Sequence, residues 1–564
     1  MNNKFKSIAI ASLVTTGAFL NSCDLVKDLE YTVLENPLEM HGDEVALKIT
    51  GKFIEKGLNK KARVEITPIF VCKDGTEIPF DMTAFKGEKA AGEGTVVPKD
   101  GKSFAYSSTR PYQSCMEEGT VIVTIKPFKG DKEKDEITTD KIADGTIITP
   151  LLIQLDDQVI AAGDQFVRTT SETTTAVINY DKAKSNIKTA ELKQDDIKAF
   201  EAFITDAQTN VRRDVKGINI VSYASPEGEV DKNENLAADR ATSAESYITN
   251  FYKKAELTAV TITKSPKGED WDGFKTEVGK TTHPDKELIL RVLEMTSDLN
   301  KREQDIRNMA QTYKFLEKEV LPQLRRSQIV VSYDQIGWSD EELKQLTKSN
   351  PDTLTVEEFL YTAELVEDLN EKLRIYKESE RLFPNDYRTS NNVGYILYMQ
   401  NDVAGAKAKF EIANGLEQNP ISMNNLGAVA HMEGDRVKAK EILAKAGSSP
   451  ETNYNLGLIA LQDGEYGEAL EKFGDNQTFN VALAQVLSDD SGSATTTLDA
   501  SSEIDEAYAH YLRAIIAARG DDAAGVATHL TAAITKDSSW KAKAAKDAEF
   551  LKLRVDPAVA EIIK

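Results

Sequence analysis

Cysteine, histidine and tryptophan are scarce, with three, five and three in 564 residues. The histidines, His41, His283, His431, His510 and His529, lie at least 19 residues apart, so none share the i, i+4 spacing that holds zinc on a helix. With three cysteines this excludes a Cys/His metal scaffold. No G-x-S-x-G elbow is present and no cysteine has the setting of a nucleophile. Neither a catalytic residue, a metal nor a cofactor is expected. Basic residues are outnumbered, 69 Lys and Arg against 92 Asp and Glu, for a net charge of −23. A chain without a basic footprint is not built for a phosphate backbone, so nucleic acid is excluded as a partner. Also missing is any run of about 20 apolar residues that could span a bilayer. What remains is ordinary globular material, 40% hydrophobic and 29% charged, enough for three or four domains.

Lys4 and Lys6 precede an apolar run from Ile8 to Leu20, the layout of a secretory leader. The run ends in Leu20-Asn21-Ser22-Cys23. This resembles a bacterial lipobox, with Asn21 in place of the usual Ala, Ser or Thr. The resemblance implies a signal peptide over 1–22, acylation of Cys23 (palmitate included), and a lipidated tether over 23–35. Loss of Lys4 and Lys6 takes the net charge to −25. Asp24 resembles an inner-membrane retention signal of enterobacteria. Lys27-Asp28-Leu29-Glu30 resembles in part the surface-export signal of Bacteroidota-type lipoproteins. An outer-membrane anchor is expected, and periplasmic and surface-facing orientations both stay open.

Residues 36–155 read as a β-sandwich. Val45–Thr50, Ala62–Phe70 and Thr120–Ile125 alternate apolar and polar residues, and Lys73-Asp74-Gly75, Lys99-Asp100-Gly101 and Lys129-Gly130-Asp131 supply turns. Cys72 and Cys115 both fall here. Once Cys23 is acylated they are either a disulfide, natural in an oxidising envelope, or two buried thiols. Gly101-Lys102-Ser103 is not a phosphate loop, because Val96 stands where the first glycine is required.

Residues 165–337 carry a strand at Ala176–Tyr180, an amphipathic helix with Ile197, Phe200, Phe203 and Ile204 on one face, and a strand at Ile218–Ala224. The turn Ser225-Pro226-Glu227-Gly228 and a helix from Asn233 to about Phe251 follow. Asn233, Leu236, Arg240 and Ala241 keep the spacing N-x-x-L-x-x-x-R-A. This resembles the OmpA C-terminal, peptidoglycan-associated domain, and Leu324-Arg325-Arg326 leading into Ser327–Val331 resembles its ending. The resemblance implies an α+β fold with about 60 extra, largely helical residues before the last strand, Leu288 to Tyr313 forming one long helix. It also implies a clamp on the diaminopimelate of the peptide stem, with an Asp on the ammonium and Arg240 bidentate on the carboxylate. The Asp is missing: the family's G-H-T-D is Ser222-Tyr223-Ala224-Ser225 here. Glu227 is the remaining carboxylate, either reaching inward or capping the next segment. Arg240 is either this ligand or an ordinary surface arginine.

Residues 355–550 contain repeats. Gly394, Ala406 and Phe410, then Gly427, Ala439 and Leu443, then Gly457, Ala469 and Phe473, share one spacing, with periods of 33 and 30 residues. This resembles the tetratricopeptide repeat and implies an all-α solenoid. Leu360–Pro384 reads as a divergent leading repeat. Phe479–Leu498 reads as a shortened one interrupted by the polar run 488–493, and Tyr508–Ile534 as a further pair. Lys541–Leu553 reads as a capping helix. Asn392, Asn425 and Asn455 stand two residues before each repeat glycine. In the family this Asn faces the concave groove and bonds an extended peptide's backbone through its donor and acceptor, or it joins neighbouring helices.

Together the modules resemble a Bacteroidota-type outer-membrane lipoprotein. The implied function is a non-catalytic scaffold that grips protein partners through its repeats, such as an accessory subunit of an envelope assembly or secretion machine. The alternative is a peptidoglycan-binding tether of OmpA type.

Overall fold

The computed structural model describes residues 15–18 (backbone), 25–26 and 29–564, apart from Thr296 and the side chains of Ala310 and Gln311. Cys23 and Asp24 lie outside the described residues. The chain divides into two compact units, Met1–Ala162 with Asp368–Lys564, and Gly163–Glu367. Sequence order and spatial grouping therefore differ. The first and last modules close into one unit, and the middle module is inserted between them.

In the first unit, β1 (Glu44–Phe53) pairs antiparallel with Leu29–Val33 and Leu38–His41, and a second sheet is built on β2 (Ala62–Cys72). β3 (Lys102–Pro111) joins β1, and β4 (Gly119–Lys129) pairs with β2 along its whole length. Alternate residues of β2 are buried. Val64, Ile66 and Phe70 thus share one core with Val45, Leu47 and Phe53 of the facing sheet. Leu29 and Val33 are 2% and 0% exposed, so the sheet begins inside the stretch read as a tether. Cys72, at the end of β2, is disulfide-bonded to Cys115 with their Cα atoms 5.5 Å apart. Closing a loop of 43 residues stabilises by about 4 kcal/mol in the chain-entropy model.

The inserted unit runs β5 (Thr169–Asn179), α1 (Asp195–Ala207), β6 (Arg213–Ala224), α2 (Val230–Lys254), β7 (Ile262–Glu269) and β8 (Arg326–Ile336). The sheet order is β5-β8-β6-β7. Only β6 and β7 are parallel, with α2 as their crossover. Ile197 and Ile204 of α1 and Ala241, Ala244 and Ile248 of α2 pack on Ile218, Ile220, Ile329 and Val331 of the sheet. Between β7 and β8 lie the short helices Trp271–Lys280, Lys286–Met295, Leu299–Arg307 and Ala310–Phe315, with a core of their own. The single helix read from Leu288 to Tyr313 is thus broken. Asp298 ends it by turning its side chain onto the backbone N–H of Lys301, capping a new helix.

The C-terminal part of the first unit is a stack of helical pairs spaced as in tetratricopeptide repeats. These are α3 (Tyr387–Met399) with α4 (Val403–Leu416), α5 (Pro420–Met432) with α6 (Arg436–Ala446), and α7 (Pro450–Gln462) with α8 (Tyr466–Phe473). Then come α9 (Phe479–Leu487) with α10 (Ser491–Ala500), and α11 (Ala507–Arg519) with α12 (Ala523–Lys536). Residues 488–490 are a helix-to-helix turn and 491–493 open α10, so the polar run is not an interruption: Asp490 caps α10. The turns within the first three pairs place Asn401, Gly434 and Gly464 in the left-handed region, where Asn is tolerated and Gly is free of strain. A Cβ on Gly394, Gly427 or Gly457 would stand 2.8, 2.6 or 2.7 Å from the side chain of Phe410, Leu443 or Phe473. The repeat glycine is therefore what lets the two helices of each pair approach.

Gly427→Leu is expected to lower stability by about 2 kcal/mol through overpacking against Leu443. Gly415→Ala, in α4 with open space at its Cβ, should raise it by about 0.5–1 kcal/mol through helix propensity. Urea unfolding of the two variants checks both signs.

Candidate functional site: a groove filled by its own chain

The concave face of the solenoid is occupied. After the sandwich, an extended strap from Gln154 to Ala162 runs along it from the later repeats toward the first. One asparagine per repeat grips one strap residue through both backbone groups. Asn480 accepts from Gln154 N–H and donates to its carbonyl, both at 2.9 Å. Asn455 does the same at Gln158 (2.7 and 2.8 Å), Asn425 at Ile160 (2.7 and 2.8 Å) and Asn392 at Ala162 (2.7 and 2.8 Å). The amide side chain thus acts as the edge of a neighbouring β-strand would. The grip reads backbone, so it carries little side-chain specificity.

A second row of amides braces the first. Asn391 and Asn424 donate to the carbonyls of Ile160 (3.0 Å) and Gln158 (2.9 Å). Their own Oδ1 atoms accept from Asn425 and Asn455 of the next repeats, at 3.0 and 3.2 Å. All six asparagines are fully buried, where an unmet amide is costly and a closed network is rigid.

Between Gln154 and Gln158 the strap carries two carboxylates. Asp157 Oδ1 lies 2.7 Å from Nδ1 of His431, whose Nε2 lies 2.9 Å from Gln462 Oε1. Both side chains are essentially inaccessible, at 1% and 0% exposure. With an acceptor at each ring nitrogen, the imidazolium form is favoured. Burial alone would lower the pKa of His431, but the Asp157 carboxylate and Gln462 outweigh it and hold it above the ordinary value. Burial raises that of Asp157, whose Oδ2 has no partner among the described residues. Asp156 belongs to an exposed stretch, yet its carboxylate turns to Tyr454 (2.8 Å) and Asn480 (2.9 Å). Burial of that end pushes its pKa up to about 6. Where the strap enters, Thr149 donates to Glu549 (2.5 Å), which is also bound by Arg519 (2.6 Å).

The structure therefore brings Asn392, Asn425 and Asn455 together, but on the chain's own backbone. Asn391, Asn424, Asn480 and His431 are further contact residues. The doublets Asn391-Asn392 and Asn424-Asn425 carried a signal for two of them. Asn480, two residues before Ala482 rather than a glycine, followed the same rule with a different small residue.

Arg240 and Glu227 are placed differently. Arg240 is 0% exposed and is not a surface arginine. Its guanidinium donates to three backbone carbonyls, those of Lys184 (3.0 Å), Tyr223 (2.7 Å) and Asp181 (3.2 Å). Burial pulls its pKa down to about 10. Glu227 turns inward to Ser225 (2.5 Å), Arg325 (2.8 Å) and Lys182 (2.9 Å). Burial opposes its charge, but Ser225, Lys182 and Arg325 outweigh it and lower its pKa. From the inserted helices, Arg307 donates to the Glu227 carbonyl at 2.6 Å and Glu317 binds Lys182 at 2.8 Å. A stem peptide would find these groups already partnered. Among the described residues no three His, Cys, Asp or Glu side chains gather as a metal site, and no helix is long and apolar enough to cross a membrane.

No family model matches the chain, and no curated protein matches it. Solved structures similar to it include the APC/C hetero-tetramer Cut9-Hcn1, at 12% identity over 60% of this chain and 76% of that one, with a TM-score of 0.31. A tetratricopeptide repeat protein from Parabacteroides merdae shares 11% identity over 40% of this chain and 91% of its own, TM-score 0.29. YrrB, a TPR protein with an unusual peptide-binding site, shares 18% over 36% and 94%, TM-score 0.21. At these scores the likeness carries no argument, and the description of the repeats rests on the chain's own helices.

Asn425→Ala leaves the N–H of Ile160 unpaired and its carbonyl with Asn391 alone, and should cost about 2 kcal/mol, with faster proteolysis between Gln154 and Ala162. A raised imidazole pKa gives full stabilisation below the ordinary value of 6.5 and loses it as pH climbs through the raised one. Tm should therefore fall as pH rises from 6.5 through the raised pKa of His431, and His431→Gln should flatten that dependence.

Proposed function

We propose that this chain is a non-catalytic scaffold of a bacterial outer membrane, anchored by lipid at Cys23, and an accessory subunit of an envelope assembly or secretion machine. The observation that carries the reading is the filled groove. The surface through which such repeats hold an extended peptide is spent on Gln154–Ala162, so the solenoid works first as a clamp that fuses sandwich and repeats into one rigid body. Protein partners then meet its outer helices, where Ile412 and Leu416 of α4 and Val437 of α6 are 47%, 42% and 72% exposed. The lipid confines that surface near membrane partners and raises their effective concentration, so modest contacts suffice.

We read the inserted unit as an OmpA-like domain that no longer holds the wall. Its Arg240 would have to abandon three carbonyls to take a carboxylate, and the helices before β8 cover the Glu227 loop. The tether alternative returns if the intact chain co-sediments with insoluble peptidoglycan.

Photo-crosslinkers at Val437 and Ile412 should capture other proteins in cells, while one at Asn425 should give only internal links to the strap. Intermolecular products at Asn425 would make the groove itself the partner site. Cys23→Ser should move the protein from the membrane to the soluble fraction.

A further inference from the structure

The sheet of the inserted unit has two edges, and only one is guarded along its length. β7 closes one edge with Pro266, which has no N–H to offer, and with Lys264 and Lys267. Proline and lysine on an edge strand discourage the addition of another strand. β5 closes the other edge. The N–H of Val177 donates to Asp196 Oδ2 at 2.8 Å, and that of Asn179 to Glu191 Oε2 at 3.1 Å. The odd-numbered residues of β5 thus turn their backbone groups away from β8, and two carboxylates cover that side near the end of the strand. The beginning of the strand, Thr169–Thr175, has no such cover. Among the described residues nothing bonds the outward N–H and C=O groups of Thr169, Ser171, Thr173 and Thr175, and all four residues are exposed. This stretch contains no proline and no lysine, and its pairing with β8 runs without a bulge.

The composition of the ribbon limits what adds to this edge. One face of the stretch carries Thr169, Ser171, Thr173 and Thr175, and the other Thr170, Glu172 and Thr174. Across in β8, Asp334 accepts from Ser171 Oγ and Tyr333 donates to Glu172, each at 2.7 Å. Such a ribbon offers a guest backbone bonds and threonine methyls, with no slot for a large apolar anchor. The guest that fits is a β-branched strand polar on both faces, and β5 itself is that strand. Set antiparallel about a two-fold axis at Ser171, two copies pair Ser171 with Ser171 and Thr169 with Thr173, through about six backbone hydrogen bonds. Thr–Thr and Thr–Ser neighbours across strands are favourable. Glu172 then faces Thr170 of the second copy. An axis at Glu172 would instead set two carboxylates opposite each other, which is unfavourable.

We propose that this open half of β5 is a self-association edge, where two copies of the chain join their four-stranded sheets by antiparallel pairing over Thr169–Thr173. A symmetric contact of this kind consumes the edge in both copies, so it stops at a dimer. The contact is small, so the dimer is weak and reversible. The pairing gives the scaffold a stoichiometry, and it holds whether or not Cys23 carries a lipid.

The test uses the full chain carrying Cys23→Ser. Cys72 and Cys115 are bonded to each other, so one added cysteine is then the free thiol. Sedimentation equilibrium from micromolar to near-millimolar concentration should show monomer passing to dimer, with the amides of 169–173 gaining protection from hydrogen exchange as the dimer forms. A monomer at every concentration overturns the proposal. Thr173→Pro removes an outward N–H and no bond within the sheet, a place where an edge strand accepts proline. It should weaken the dimer by about tenfold or more and leave the thermal melt in place. The variant S171K/T173K keeps the backbone intact and should weaken the dimer likewise, by setting like charges opposite each other. A dimer that neither variant weakens overturns the proposal. Under mild oxidation Ser171→Cys should form a disulfide dimer, because its Cα would lie about 5.5 Å from that of its mate. Thr175→Cys should do so about tenfold more slowly or less, its two copies standing about 26 Å apart. Equal rates at the two positions overturn the proposal.

Discussion

Four side-chain amides, each paired with both backbone groups of one strap residue, are the contact on which the first unit depends. An extended segment laid in a helical groove has no sheet to complete its hydrogen bonds, and a buried unmet N–H or C=O is costly. Asn392, Asn425, Asn455 and Asn480 meet those needs at Ala162, Ile160, Gln158 and Gln154. Because the amides read backbone, the strap's remaining chemistry is free to do other things. Asp157 uses it to lock onto His431.

The strap also accounts for the division of the chain. Gln154 meets Asn480 across 326 residues of sequence, and Ala162 meets Asn392 across 230. Everything between Gly163 and Glu367 is consequently an insertion in a closed loop, free to fold on its own sheet and its own two cores. Closing so long a loop costs only slightly more than closing a short one, since the entropy grows with the logarithm of length. The row of amide pairs, the Asp157–His431 contact and the Thr149–Glu549–Arg519 cluster oppose that cost.

Within the inserted unit the same economy of polar groups works against ligand binding. Arg240 is held by the carbonyls of Asp181, Lys184 and Tyr223, and Glu227 by Ser225, Arg325 and Lys182. Charged groups buried this fully are kept by their internal partners, and an incoming zwitterion would have to replace all of them at once. The helices between β7 and β8 supply part of that enclosure, through Arg307 and Glu317.

Local chemistry was readable from the sequence, because it depends on periodicity and on residue size. The 12-and-4 spacing of Gly, Ala and Phe or Leu set the helix pairs, and the alternation over Ala62–Phe70 set a strand with one buried face. The Asn two residues before each repeat glycine was legible as a groove residue for the same reason. The strap was not. Residues 156–164 fell between the modules, since an extended, mixed-polarity segment has no period and its partners lie hundreds of residues away. Nor could sequence spacing tell that Arg240 points into carbonyls, that Arg325 reaches Glu227, or that Asp298 interrupts a helix. Each depends on which backbone groups the fold leaves unmet. The sequence by itself determined the helices, the strands and the amide row facing the groove. Only the tertiary structure decided what fills that groove, because that depends on which distant segment closes the hydrogen bonds the amides leave open.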